Sequence, residues 1–173
     1  MSTEPTIDIE ALLAPIPGDE EAGEDPRESA AGSVLYYDVK DRRARARSAE
    51  RSALQAVEDI TETPVAVRQV AGDWAGVADG AAELLSGHAK DLEIASWMLE
   101  AQVRLAGFAG LRDGFRLVAG LADRFGEALY PRPDMGETIA ETVAPIAGLN
   151  GIDSEGPLLQ PIRMIALGAS GGQ

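Results

Sequence analysis

Residues 73–131 read DWAGVADGAAELLSGHAKDLEIASWMLEAQVRLAGFAGLRDGFRLVAGLADRFGEALYP. Three apolar segments lie in this stretch, separated by polar or glycine-containing breaks. In the first, Trp74, Val77, Ala78, Ala81, Leu84 and Leu85 recur at helical spacing, with Asp73 placed to cap the start and Gly87 to mark the end. In the second, Asp91 can cap, and Leu92, Ile94, Ala95, Trp97, Met98, Leu99, Val103 and Leu105 leave no polar side. A helix apolar all round belongs at the centre of a bundle. Gly107 and Gly110 separate it from a third segment whose stripe runs Leu111, Phe115, Val118, Ala122, Phe125 and Leu129, stopped by Pro131 and Pro133. The pattern predicts an all-α fold, an irregular stack of antiparallel helical hairpins with about six to seven helices in total.

Outward from this core, Ile7 to Ile16 reads as a short helix capped by Thr6 or Asp8, stopped by Pro15, Pro17 and Gly18. Residues 17–32 form an acidic loop. A long polar helix is expected over 33–60, with Leu54, Val57 and Ile60 as its later core stripe and no apolar face between Lys40 and Arg47. Residues 61–71, with Pro64, read as a connector. A helix over 137–149 should turn Ile139, Val143 and Ile146 inward, and a short one over 157–167 closes a domain spanning 1–167. The tail 168–173, Gly-Ala-Ser-Gly-Gly-Gln, resembles a linker and is expected to mark a truncation point before further domains.

The chain of 173 residues is 45% hydrophobic but only 5% aromatic, so small aliphatic side chains must fill the interior. No cysteine is present, which excludes disulfides and thiolate chemistry. The formal charge of −14 disfavours bulk binding to nucleic acid or anionic lipid. No apolar run is long enough to cross a membrane. With one histidine, His88, in a turn, a metal site lacks ligands, and no phosphate-binding or dinucleotide-binding glycine pattern occurs. The sequence therefore points to no cofactor, no metal and no catalytic residue.

The residues left as candidates for protein contact are Glu24, Asp25 and Arg27 in the acidic loop, Arg42, Arg43, Arg45 and Arg47 on the long helix, and Tyr130. Residues 38–51 hold six of the fifteen basic side chains against three acids. That strip is either a face for an acidic protein or RNA, or an exposed face paired with the protein's own acids. Glu24 and Asp25 are the residue types of acid–base hydrolysis, but neighbours in a loop rarely face one cleft. A salt bridge to Arg27 fits them better. Trp74 and Trp97 read as core anchors, and Tyr130 as either a docking knob or a ring that ends its helix.

The order of these pieces resembles the ImpA-type N-terminal domain of TssA-like proteins of the bacterial type VI secretion system. The resemblance rests on LLAPIPGDEEAGEDPR at 12–27, on the Asp73-Trp74 helix start, on the run from Leu84 to Asp134, and on Asn150-Gly151 with GPLLQPIR at 156–163. Pro26 departs from the pattern, where an apolar residue is common. The resemblance implies a non-enzymatic scaffold that contacts baseplate, sheath and membrane-complex components in the cytoplasm, at the inner-membrane face. It also implies that this segment alone is a monomer or weak dimer, with oligomerisation residing in C-terminal regions of the full-length protein. An adapter binding nucleic acid or an acidic partner through 40–51 is the alternative expectation.

Overall fold

At Gly107 the backbone adopts φ 58° and ψ −131°, a conformation that side-chain-bearing residues rarely take. The long helix α4 (Leu92–Phe125) is bent there into two arms. They fold back on each other, since a methyl placed on Gly114 would meet Leu99 and one on Gly110 would sit 1.9 Å from the Gln102 carbonyl oxygen. The two glycines expected to break the chain thus do different jobs. Gly107 turns it, and Gly110 lets the second arm press against the first.

The structure is a computed structural model describing residues 3–56, 63–151 and 155–165. Before α4 come α1 (Ile9–Leu13), α2 (Ser33–Ala56) and α3 (Thr63–Gly87). After it come a 3-10 turn (Gly126–Ala128), α5 (Ile139–Ala147) and α6 (Leu159–Arg163). The all-α expectation holds: among the described residues the only extended pairings are isolated bridges, Gly23 with Ala89 and Asp91 with Tyr130. α2 packs on α3 and α3 on α4, while α1 lies against α3 and α4, and both α5 and α6 rest on α4. The first arm of α4 is the centre of the domain, with every residue from Ile94 to Val103 buried. Each leucine so enclosed contributes roughly 2 kcal/mol of transfer free energy.

Several expectations are corrected. α3 begins at Thr63, so 63–71 is helix, not connector, and Asp73 lies within it instead of capping it. Pro64 is compatible because it falls in the first turn, where its missing N–H is not needed. The middle of α2 does have an inward face: Val39 and Ala46 are fully buried. Val39 is seated against Gly80, where an added methyl would meet its Cγ2 at 2.3 Å. Small residues allow this approach, so no bulky apolar stripe announces it. On the second arm of α4 Phe125 is buried as expected, but the other large buried apolar residues are Leu117 and Leu121, whereas Phe115 is 42% exposed and Ala122 faces outward. α5 is turned likewise, burying Thr142 while Ile139 and Val143 are exposed. The Val57 and Ile60 stripe and the 168–173 tail lie outside the described residues.

Candidate functional site

Asp91 caps α4, its Oδ1 accepting from the backbone N–H of Glu93 (2.7 Å) and Ile94 (3.0 Å). Its other oxygen accepts from Arg27 Nη1 at 2.8 Å. Arg27 Nη2 donates to Glu93 Oε2 at 2.6 Å, and the Tyr36 hydroxyl donates to the same oxygen at 2.7 Å. The guanidinium lies 4.9 Å from the centre of the Tyr36 ring. Asp25 completes the cluster by accepting from the Arg27 N–H and Nη1. Burial pushes the Asp91 carboxyl up, against the pull of Arg27 and of the helix N–H groups.

Beside this cluster Lys90 is completely buried, and no carboxylate pairs with it among the described residues. Its Nζ donates to the carbonyls of Leu12 (2.8 Å) and Leu85 (2.6 Å), at the C-terminal ends of α1 and α3. A cation suits carbonyls left open at two helix ends. Its backbone joins the acidic loop to the end of α4, the N–H donating to Ala22 and the carbonyl accepting from Tyr130. Burial, aided by the charge of Arg124, pushes the Lys90 ammonium down to about 8.

Two turns further along α4, Glu100 is also completely buried. Its Oε1 accepts from Arg43 Nη2 at 2.5 Å, while Oε2 receives no donor and Arg43 Nε finds no acceptor. These groups line a cleft of about 330 Å³, bounded by Arg43 and Arg47 of α2, by Trp97 and Glu100 of α4, and by Leu149 and Pro157. Arg47 makes no ion pair among the described residues. Burial disfavours its charge, partly offset by Glu100 and reinforced by Arg43, Arg104 and Arg51.

The sequence-predicted residues are therefore distributed unevenly. Asp25 and Arg27 are brought together, as the salt-bridge reading expected. Glu24 is exposed and stands apart, holding the loop only through its N–H to the His88 carbonyl at 3.2 Å. Glu24 borders a recess of about 270 Å³ that Asp25 does not line. The basic residues do not form one strip. Arg42 pairs with Asp38 across one helical turn and Arg45 is exposed, whereas Arg43 and Arg47 turn into the cleft. Tyr130 is not a docking knob. It is 7% exposed and its hydroxyl donates to the Gly23 carbonyl, so the ring closes the loop onto the core. Trp74 and Trp97 are core anchors as expected, each 1% exposed.

Sequence reasoning passed over Lys90, Glu93, Glu100 and Asp113. Asp113 is buried and accepts from Arg112 and from the Thr6 N–H, holding the N-terminal segment on α4. A charged residue inside an apolar run was the available signal at Glu100. No spacing rule names the arginine that answers each carboxylate.

The match to known families covers residues 13–151 and is to "ImpA, N-terminal, type VI secretion system". The type VI secretion system component TssA1 of Pseudomonas aeruginosa is 37% identical over 95 residues, 55% of this chain and 27% of that protein. Among solved structures, an N-terminal domain including the conserved ImpA_N region of the TssA component of the type VI secretion system from Burkholderia cenocepacia superposes with a TM-score of 0.57. Identity is 25%, over 84% of this chain and 49% of that one. The chain thus spans about a quarter of the curated relative and about half of the solved chain.

Proposed function

The chain belongs to the ImpA N-terminal family of the type VI secretion system, and from that membership we propose that it is a non-catalytic assembly module. In this reading it holds other secretion components by protein–protein contact while baseplate and sheath are built, in the cytoplasm at the inner-membrane face. One observation supports the non-catalytic part most directly. The carboxylates and guanidinium that most resemble chemical machinery, Asp25, Arg27, Asp91 and Glu93, are engaged with one another and with backbone N–H groups. Groups bound in this way keep two ends of the fold together and are not free to act on a substrate.

A rigid stack of this kind serves as a scaffold by presenting fixed surfaces, with its strong negative charge steering encounters towards basic partners and away from polyanions. The test is crosslinking mass spectrometry in cells in which the secretion system is firing, with the chain in its full-length context. Crosslinks to baseplate, sheath or membrane-complex components are the expected result. Recovery of none above the level of an unrelated acidic cytoplasmic protein would overturn the reading.

A further inference from the structure

The groove beside α2 is lined by arginines that no carboxylate claims among the described residues. The cleft of about 330 Å³ continues past Arg47 into a recess of about 140 Å³ that Arg51 and Gln160 also line. Among the described residues each carboxylate lining it has an ion-pair partner: Glu93 shares Arg27 with Asp25 and Asp91, Glu100 has Arg43, Glu50 has Arg104, and Glu155 has Arg163. Arg47 and Arg51 are left over among the described residues, inside a chain of formal charge −14. Lining it, fully buried Glu100 has a carboxylate oxygen, and Arg43 an Nε, that no group satisfies among the described residues. A buried group left unanswered is unfavourable, so a ligand that brings a donor to Glu100 is favoured.

We propose that this cleft receives an acidic residue from an extended segment of a partner protein, its carboxylate on Arg47 and a main-chain N–H on Glu100. The inference rests on the scaffold reading above and names the chemistry of one of its contacts. A peptide suits the cleft because it supplies both kinds of group within one residue, a carboxylate for the surplus cation and an amide hydrogen for the carboxylate oxygen. A phosphodiester backbone supplies only acceptors, and a polyanion is also repelled by the remaining surface. The half-buried prolines 145 and 157 give the walls apolar contact for a neighbouring aliphatic side chain.

The test uses the whole 173-residue chain and a fluorescein-labelled peptide Gly-Leu-Glu-Leu-Gly, read by polarisation at low salt. The expected result is saturable binding that falls by about tenfold or more with Arg47→Glu or Arg47→Gln, and similarly when the peptide's Glu is replaced by Gln. Arg45→Glu makes the same charge change on the exposed side of the same helix and is expected to leave binding within about twofold. A thermal melt of each variant confirms that it is folded. Absence of binding to the wild-type chain at millimolar peptide, equal loss with Arg45→Glu, or tighter binding of single-stranded oligothymidylate would each overturn the proposal. If the peptide fails while crosslinks to secretion components persist, the cleft assignment falls and the scaffold reading stands. If both fail, the scaffold reading falls with it.

Discussion

Asp91 and Glu100 are both completely buried on the first arm of α4, and each faces an arginine from a distant part of the chain. Around Asp91 every oxygen has a donor, with two helix N–H groups on one and Arg27 on the other. Around Glu100 one oxygen is held by Arg43 and the other by nothing, with a further unpaired guanidinium next to it. The first cluster closes on itself and pins the acidic loop to the core. The second is left incomplete beside a cleft. Burial and charge are alike at the two sites; the completeness of the hydrogen bonding is what differs.

That contrast is tested most severely at Asp91. Asp91→Ala removes the cap and strands the Arg27 guanidinium, and the expected loss of unfolding free energy in urea is about 3 kcal/mol. Asp91→Asn keeps a capping oxygen and should lose less. If Asp91→Ala melts like wild type, the closed cluster is not what holds the loop. Arg27→Met is the next largest, at roughly 2 kcal/mol, and should expose the 17–32 loop to limited proteolysis before the global melt. Cleavage no faster than in wild type would show that the loop is held by its backbone contacts to His88 and Lys90 instead.

Lys90 gives the closed region a pH signature of smaller size. Its ammonium is pushed down to about 8 when folded, from 10.5 in the open chain. Between those values the unfolded chain binds more protons than the folded one, so stability rises with pH through about 8 towards 10. Tyr36 works in the opposite sense at the upper end. Burial and Glu93 push its hydroxyl up, so the folded state retains a proton that the unfolded chain loses above pH 10. Denaturant melts across pH 7–10 should therefore show a rise that Lys90→Met abolishes. A flat wild-type profile would contradict the burial of the charged amine.

Much of the architecture was legible because helical stacks write their cores as apolar spacing. The run from Leu92 to Val103 named the central helix, and Asp91 named its cap. What stayed hidden depended on small residues and long-range pairing. Val39 fits α3 only because position 80 is glycine, and Ala46 is buried without being bulky, so α2 looked solvated. The spacing on the second arm of α4 points to Leu111, Phe115, Val118, Ala122, Phe125 and Leu129, of which Phe125 and Leu129 are buried and Phe115 and Ala122 are not. The observed packing there centres on Gly114 and Leu117, since the close approach to Leu99 sets the rotation of that arm. At the site, Asp25 and Arg27 were found because they are neighbours in sequence, whereas Arg43 and Glu100 lie 57 residues apart. The basic strip was read as four equivalent arginines. A helix spaces Arg43 and Arg47 onto one face and turns Arg42 and Arg45 away, and only the position of α4 shows which face is covered.

The smallest stability effect carries the sharpest form of the comparison. Arg47→Gln removes a charge that burial already disfavours and that no carboxylate claims among the described residues. Its loss should leave the unfolding free energy within about 0.5 kcal/mol of wild type, or raise it slightly. A half-buried arginine retained for structure behaves otherwise. Arg104, bidentate on Glu50 and lying 4.1 Å from the centre of the Trp74 ring, should destabilise clearly when changed to Gln. If Arg47→Gln costs as much as Arg104→Gln, the cation is holding the fold together and the cleft is simply another closed cluster. If it is neutral for folding but abolishes peptide binding, the groove holds a charge whose partner lies outside this chain.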